Sequence, residues 1–470
     1  MRRSHIALLS AVPLIGAVAC SDFLSGPKLT TNPNQPSAAT ADQLFVGMQV
    51  ASHSRVETTI PLLIEVWSQH LAGVSRQWIN LADYSFTEAT DDAAFNNIYG
   101  GGGLTDVFKV KAATEAAGNK QFLGIVQVYE GLLMGTAADW YGDVPYSEAV
   151  GSSIAPVLDP QASVYARVQV VLDSAIANLA GGGAGPAALD FAYGNDATKW
   201  TAAAHSLKAR YYLHQTRGTD SLANYAKARD QALLGISSRA NDWQTTHTAN
   251  TGEHNLFFEF LFQTRAGDIE PDSTLINKLK GNGVLGPHSA EQLDANFTKN
   301  SAGQFEGAPH DRTLGSSSNF TVGVTTPTPI LTYAETKSIL AETQYRTGQT
   351  AAALITLNAL RAAYSEAPVV LAGLPLLLGI LEEKYVSSFR SIEVWSDYRR
   401  TCYPNLTLPT GKRRDYIPAR IYYGFTERIA NPNIPSTQDQ DLNPAVPSFP
   451  KHPTDLLGAT CFGQANRPGT

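Results

Sequence analysis

The sequence predicts an all-α fold: a helical frame of αα-hairpins carrying long loop-rich insertions and only minor strand. Three observations predict it. Apolar residues recur at helical spacing in one segment after another, most clearly over 123–141 and 328–364. Small residues such as Gly131, Gly135, Ala137 and Ala138 thin one side of the first of these stripes, which lets a neighbouring helix approach closely. The composition, 43% hydrophobic and 16% charged with 38 Gly and 26 Pro, supplies core material together with the breakers that long loops need. At 470 residues the chain is one large elaborated domain or two intimately packed parts.

Taken in order, the chain opens on Arg2 and Arg3 and an apolar run from Ile6 to Val18, too brief to span a bilayer and laid out as a secretory signal over residues 1–19. It ends in Ala17-Val18-Ala19-Cys20. Small residues before a cysteine resemble a bacterial lipobox, so Cys20 is the expected lipidation site. Each buried CH2 contributes ~0.8 kcal/mol, and several acyl chains would hold the protein on a membrane. Residues 20–38 are polar, aperiodic and Pro-bearing, a tether rather than a fold. The formal net charge of -7 and the lack of a basic cluster exclude nucleic acid as a partner. Cys402 and Cys461 remain. In an oxidising compartment a bond between them and two separate buried thiols both fit.

The folded region is expected to occupy 39–470. Its helical frame covers 39–235 and 328–401, separated by a loop-rich insertion at 236–327 and followed by a loop region at 402–470. Helices are predicted at 39–54 and 60–74, the second with Leu63, Val66, Trp67, His70 and Val74 on one stripe. The stretch 75–91 has no sustained period but holds Trp78, Tyr84 and Phe86. Helices follow at about 106–117, 123–141, 160–180, 197–217 and 220–235, the second of these stopped by Gly142 and Pro145. The glycines at 181–186 precede no Lys-Ser/Thr pair, so they do not form a phosphate loop.

Within the insertion, LFFEFLF at 256–262 reads as a strand or buried extended segment. Gly281, Gly283 and Gly286 match GxGxxG but lead into Pro287 rather than a helix. From Thr328 as cap and Pro329 in the first turn, Leu331, Ala334, Ala341 and Tyr345 define one helix face. After Gly348, Ala353, Leu357, Leu360 and Tyr364 define the next, giving a hairpin of tetratricopeptide type. The apolar run 369–381 is broken by Gly373 and Pro375 and reads as a buried helix start. One last long helix carries Leu378, Leu381, Tyr385, Phe389, Ile392 and Trp395 on a stripe.

No catalytic constellation emerges. The acidic pairs Asp91-Asp92 and Glu382-Glu383 point apart on a helix and read as solvated charge. There is no HExxH, no metal-spaced Cys/His set, no GxSxG and no calcium loop, so no metal and no cofactor is expected.

Four stretches carry a family resemblance. DWYGDVPYSEA at 139–149 resembles the WGDVPYSEA signature of the SusD/RagB family. YAETKSILAE at 333–342 is similar to a helix of the same family, and Arg390, Glu393, Trp395, Asp397, Arg399, Arg400 and Pro404 match the end of its helical frame. Pro418, Arg420, Tyr423, Glu427 and Asn431 match the segment that follows. The resemblance implies a non-enzymatic outer-membrane lipoprotein, facing the cell exterior, that binds a glycan or peptide nutrient for a SusC-like TonB-dependent transporter. A helical-repeat scaffold and an all-α glycoside hydrolase are the alternatives. Trp78 and Trp243 fall in irregular segments, and family members commonly bind ligand through the loop after the second helix. Trp78, Asn80, Tyr84 and Trp243 are therefore the expected binding surface, with Arg76 as a donor.

Overall fold

The computed structural model describes residues 39–440, apart from 152, 218, 219, 311, 407, 410, 412–416 and 439. The signal, the tether, Cys20 and Cys461 lie outside the described residues. Cys402 is disulfide-bonded.

The frame begins with α1 (Ala41–Arg55), started by a capping box on Thr40, and α2 (Thr59–Trp67). The short α3 (Gln77–Ala82), α4 (Asp92–Tyr99) and α5 (Leu104–Ala116) follow, then the long α6 (Lys120–Tyr141). The next helices are α7 (Gln161–Leu179), α8 (Ala197–His214) and α9 (Ser221–Ala232). The insertion contributes α10 (Ser273–Leu279) and α11 (Ala290–Asn296). The frame resumes as α12 (Tyr333–Arg346), α13 (Thr350–Ala363), α14 (Gly373–Ser387) and α15 (Glu393–Thr401), and α16 (Phe425–Ala430) lies beyond it.

Successive frame helices are spatial neighbours. α6 packs against α5, α7 and α8, α9 joins α8 to α12, and α12 packs against both α13 and α14. Helix α6 is buried from Phe122 to Tyr141, and its glycines permit this. A Cβ on Gly135 would stand 2.0 Å from the Tyr211 ring, and one on Gly131 2.7 Å from Leu172, so α7 and α8 lie against bare backbone. Among the described residues, strand is confined to three antiparallel pairs: β1 (Leu71–Gly73) with β3 (Ile269–Pro271), β2 (Trp243–Gln244) with β6 (Pro329–Leu331), and β4 (Phe297–Thr298) with β5 (Asn319–Phe320). The fold is therefore all-α with minor strand. Among the described residues no helix is long and apolar enough to cross a membrane.

Several expectations are corrected. The helix expected over 60–74 stops at Trp67 because Gln69 takes a φ of 56° and the chain then pairs as β1. LFFEFLF is helical, one α-turn at Leu256–Phe258 running into a π-helix at Glu259–Thr264. Thr332, not Thr328, caps α12, its side chain accepting from the Glu335 N–H, and Pro329 belongs to β6. The last stripe is split between α14 and α15 by a break at which Arg390 has a φ of 64°. Phe389, Ile392 and Trp395 nevertheless stay in one core.

Candidate functional site

The stretches that carry the family resemblance meet at one end of the frame. Asp139, near the end of α6, accepts from the Tyr165 hydroxyl of α7 at 2.5 Å and pairs with His214 Nδ1 of α8 at 2.7 Å. The other ring nitrogen of His214 lies 2.8 Å from Glu393 of α15. Arg210 grips Glu335 of α12 through Nε and Nη2 at 2.7 and 2.6 Å and approaches Glu393 at 3.3 Å. Arg400 holds Glu342 through two bonds of 2.6 Å. Arg399 donates to the backbone carbonyls of Asp139 and Ala419, and the Tyr423 hydroxyl donates to that of Asp143. These motif residues therefore fasten helices that are remote in sequence, and their exposure is too low for them to form a ligand surface.

Among the described residues two clusters have the composition of a metal site, Asp139–His214–Glu393 and His288–Glu366–Glu383. In the first, burial lowers the His214 pKa but Asp139 and Glu393 raise it further, to about 9. As an imidazolium the ring donates to both carboxylates and supplies the positive charge between them. In the second, Arg361 lies 2.8 Å from Glu366 and 2.9 Å from Glu383, supplying the positive charge internally. Burial, and then the Glu366 charge, push Glu383 up to about 7. Glu382, on the opposite side of α14, accepts from the backbone N–H groups of Val284 and Leu285 and from the Tyr403 hydroxyl. Both members of this acidic pair are 0% exposed. The solvated reading of Glu382-Glu383 is thereby corrected, although the two side chains do point apart.

The expected binding surface is also largely interior. Trp78 is 2% exposed and edge-on to Phe260, with ring centroids 5.3 Å apart, while Tyr84 and Trp243 are 0% exposed. Trp243 sits in β2 against Tyr129 and Trp200 at 5.0 and 4.9 Å. The lack of a sustained period over 75–91 did not mean irregular backbone or exposed side chains: Trp78 lies on the short helix α3 and Trp243 on β2, and both are covered by their neighbours. Arg76 is half-exposed and paired with Asp268 at 3.2 Å, and Asn80 is exposed. The structure brings 75–84 against the insertion through Trp78 and the β1–β3 pair, without an aromatic platform made from the named side chains.

A cleft of about 590 Å³ lies instead between the carboxyl end of α1 and the first loop of the insertion, lined by Val50, His53, Glu57, Phe191, His247 and His254 among others. Glu57 anchors it. This buried carboxylate accepts from Thr245 Oγ1 at 2.7 Å, from the Leu256 N–H at 3.0 Å and from His247 at 2.8 Å. Burial alone would raise its pKa, but the His247 and Leu256 bonds bring it below the usual range. Burial lowers the His247 pKa and Glu57 raises it beyond that, so its net shift is upward. His53 is pushed down to about 4, chiefly by burial. Its ring is therefore neutral, and its buried Nε2 has no hydrogen-bond partner among the described residues. It stands 6.4 Å from the Phe191 ring and 6.2 Å from that of His247. Phe191 is 39% exposed. The cleft thus offers an apolar ring face beside a neutral imidazole and a fixed ion pair, an arrangement that suits a polyhydroxylated ligand.

Sequence reasoning missed His53, Glu57, Phe191 and His247, whose partners lie more than a hundred residues apart. The one local signal is the pair His247 and His254 in a stretch of Thr, Asn and Gly.

A family model described as "Starch-binding associating with outer membrane" matches residues 33–424. No curated protein matches the chain. Among solved structures, a SusD/RagB family protein from Bacteroides thetaiotaomicron superposes with a TM-score of 0.69 at 21% identity, covering 84% of this chain and 95% of that one. A SusD homologue from Bacteroides uniformis gives 0.69 at 18% identity, covering 90% and 98%. A chitin-binding SusD homologue from Flavobacterium johnsoniae gives 0.67 at 15% identity, covering 83% and 94%.

Proposed function

Because the chain belongs to the SusD-like family of outer-membrane-associated proteins, we propose that it captures a glycan in the cleft between α1 and the insertion and passes it to a SusC-like TonB-dependent transporter. The observation that carries the reading is the half-exposed Phe191 ring in a cleft whose lining also holds the His53 and His247 rings. Sugar C–H faces stack on such a ring, and a neutral imidazole takes a hydroxyl. The starch-binding description of the family and the chitin-binding homologue from Flavobacterium johnsoniae support oligosaccharide over peptide. Lipid attachment at Cys20 completes the reading. It predicts that Cys20→Ser moves the protein from the membrane to the soluble fraction, and continued membrane association would refute the anchor.

The binding test uses the soluble chain from Ser21 onward, titrated calorimetrically with chito- and malto-oligosaccharides. One of the two series is expected to bind, and Phe191→Ala to weaken it by ~3- to 10-fold, as loss of an aromatic face worth ~0.5–1.5 kcal/mol implies. The melting temperature should stay nearly unchanged. Failure of both series to bind, or native affinity in the Phe191→Ala protein, would overturn the cleft as the glycan site.

A further inference from the structure

On the other side of α1 lies a second cavity, of about 540 Å³, lined by Ser54, Arg55, Thr59, Asp91, Asn97 and Trp140 among others. Its volume falls in the range of small-ligand sites. Arg55 is the unusual member. Among the described residues it forms no ion pair, and its one hydrogen bond is a long one of 3.4 Å from Nη2 to the Asn97 carbonyl. Burial drags its pKa down to about 10, with a partial offset from Tyr141. A part-buried guanidinium that lines a cavity without a counter-ion is open to an incoming anion. The Tyr141 hydroxyl, wholly buried, also has no hydrogen-bond partner.

Asp91, also in the lining, accepts from the Ala94 N–H at 3.2 Å. Burial raises its pKa, opposed by that bond and by one from Thr59. It is therefore committed to its own helix end and does not neutralise Arg55. The cavity presents a planar guanidinium fork, suited to two-point recognition of a carboxylate. It also presents the Asp91 carboxylate, able to accept from a hydroxyl.

We propose that this cavity is a second binding site, specific for a sugar-sized hydroxy acid such as a uronic acid, with the ligand carboxylate on Arg55 and a ring hydroxyl on Asp91. The inference is independent of the cleft, since neither Arg55 nor Asp91 lines it. The test is calorimetric titration of the soluble chain with glucuronate, glucose and acetate. Glucuronate is expected to bind at least 10-fold more tightly than either of the others. Arg55→Gln should erase that preference and Asp91→Asn should reduce it about 3-fold, while Phe191→Ala leaves it intact. Arg55→Lys, which keeps the charge but not the fork, should retain part of it and stands in should Arg55→Gln fail to fold. The proposal is overturned if glucuronate binds no better than glucose, if the preference survives Arg55→Gln, or if it is lost in Phe191→Ala.

Discussion

A His214→Gln chain is expected to be about 3–5 kcal/mol less stable than the native chain at pH 7, the cost of breaking a buried ion network from one side. Gln can donate to one carboxylate but brings no charge, so Asp139 and Glu393 would face each other across α8 with only the arginines beyond them. The effect has a pH signature. Because the folded pKa of about 9 exceeds the unfolded value of 6.5, the stabilisation from His214 is fully present below pH 6.5. It is lost as pH rises through 9. Denaturant unfolding at pH 6, 7.5 and 9.5 should therefore show the gap between the two chains shrinking by about 3 kcal/mol across the series. Parallel profiles would mean that the ring is neutral throughout and that the network is held by the arginines alone.

Trp243→Ala is expected to cost a similar ~3–5 kcal/mol, through the transfer free energy of an indole and the cavity left behind. The ring is 0% exposed and wedged between Tyr129 and Trp200, on a strand that pairs with β6 through a register shift at Trp243 and Gln244. Trp78→Ala should behave likewise, given its 2% exposure. A loss below about 1 kcal/mol in either variant would return that residue to the surface and revive it as a ligand contact.

The frame was legible in the sequence because its signal is local. Helices α6 to α9 and the α12–α13 hairpin announce themselves by spacing, and α6 shows its crossing faces through Gly131 and Gly135. What could not be read depends on partners far along the chain. Gln69 turns out of its helix because residues 269–271 wait to pair with 71–73. The stripe through Phe389 and Trp395 hid a break, since both helices serve the same core and periodicity counts faces rather than backbone continuity. Glu382 and Glu383 looked solvated because Lys278 and Arg361, which compensate them, are remote. The cleft was invisible for the same reason: Glu57 and His247 are 190 residues apart.

The wide spacing of the His214 network has a consequence for how the protein is made. Asp139 and Glu393 lie 75 and 179 residues from the histidine they share. A nascent chain that has not yet emitted α15 holds half of that network and keeps its charges hydrated, because closing so long a loop costs entropy before any contact repays it. An incomplete copy is therefore expected to stay open and accessible to proteases, and only the finished polypeptide can seal the frame.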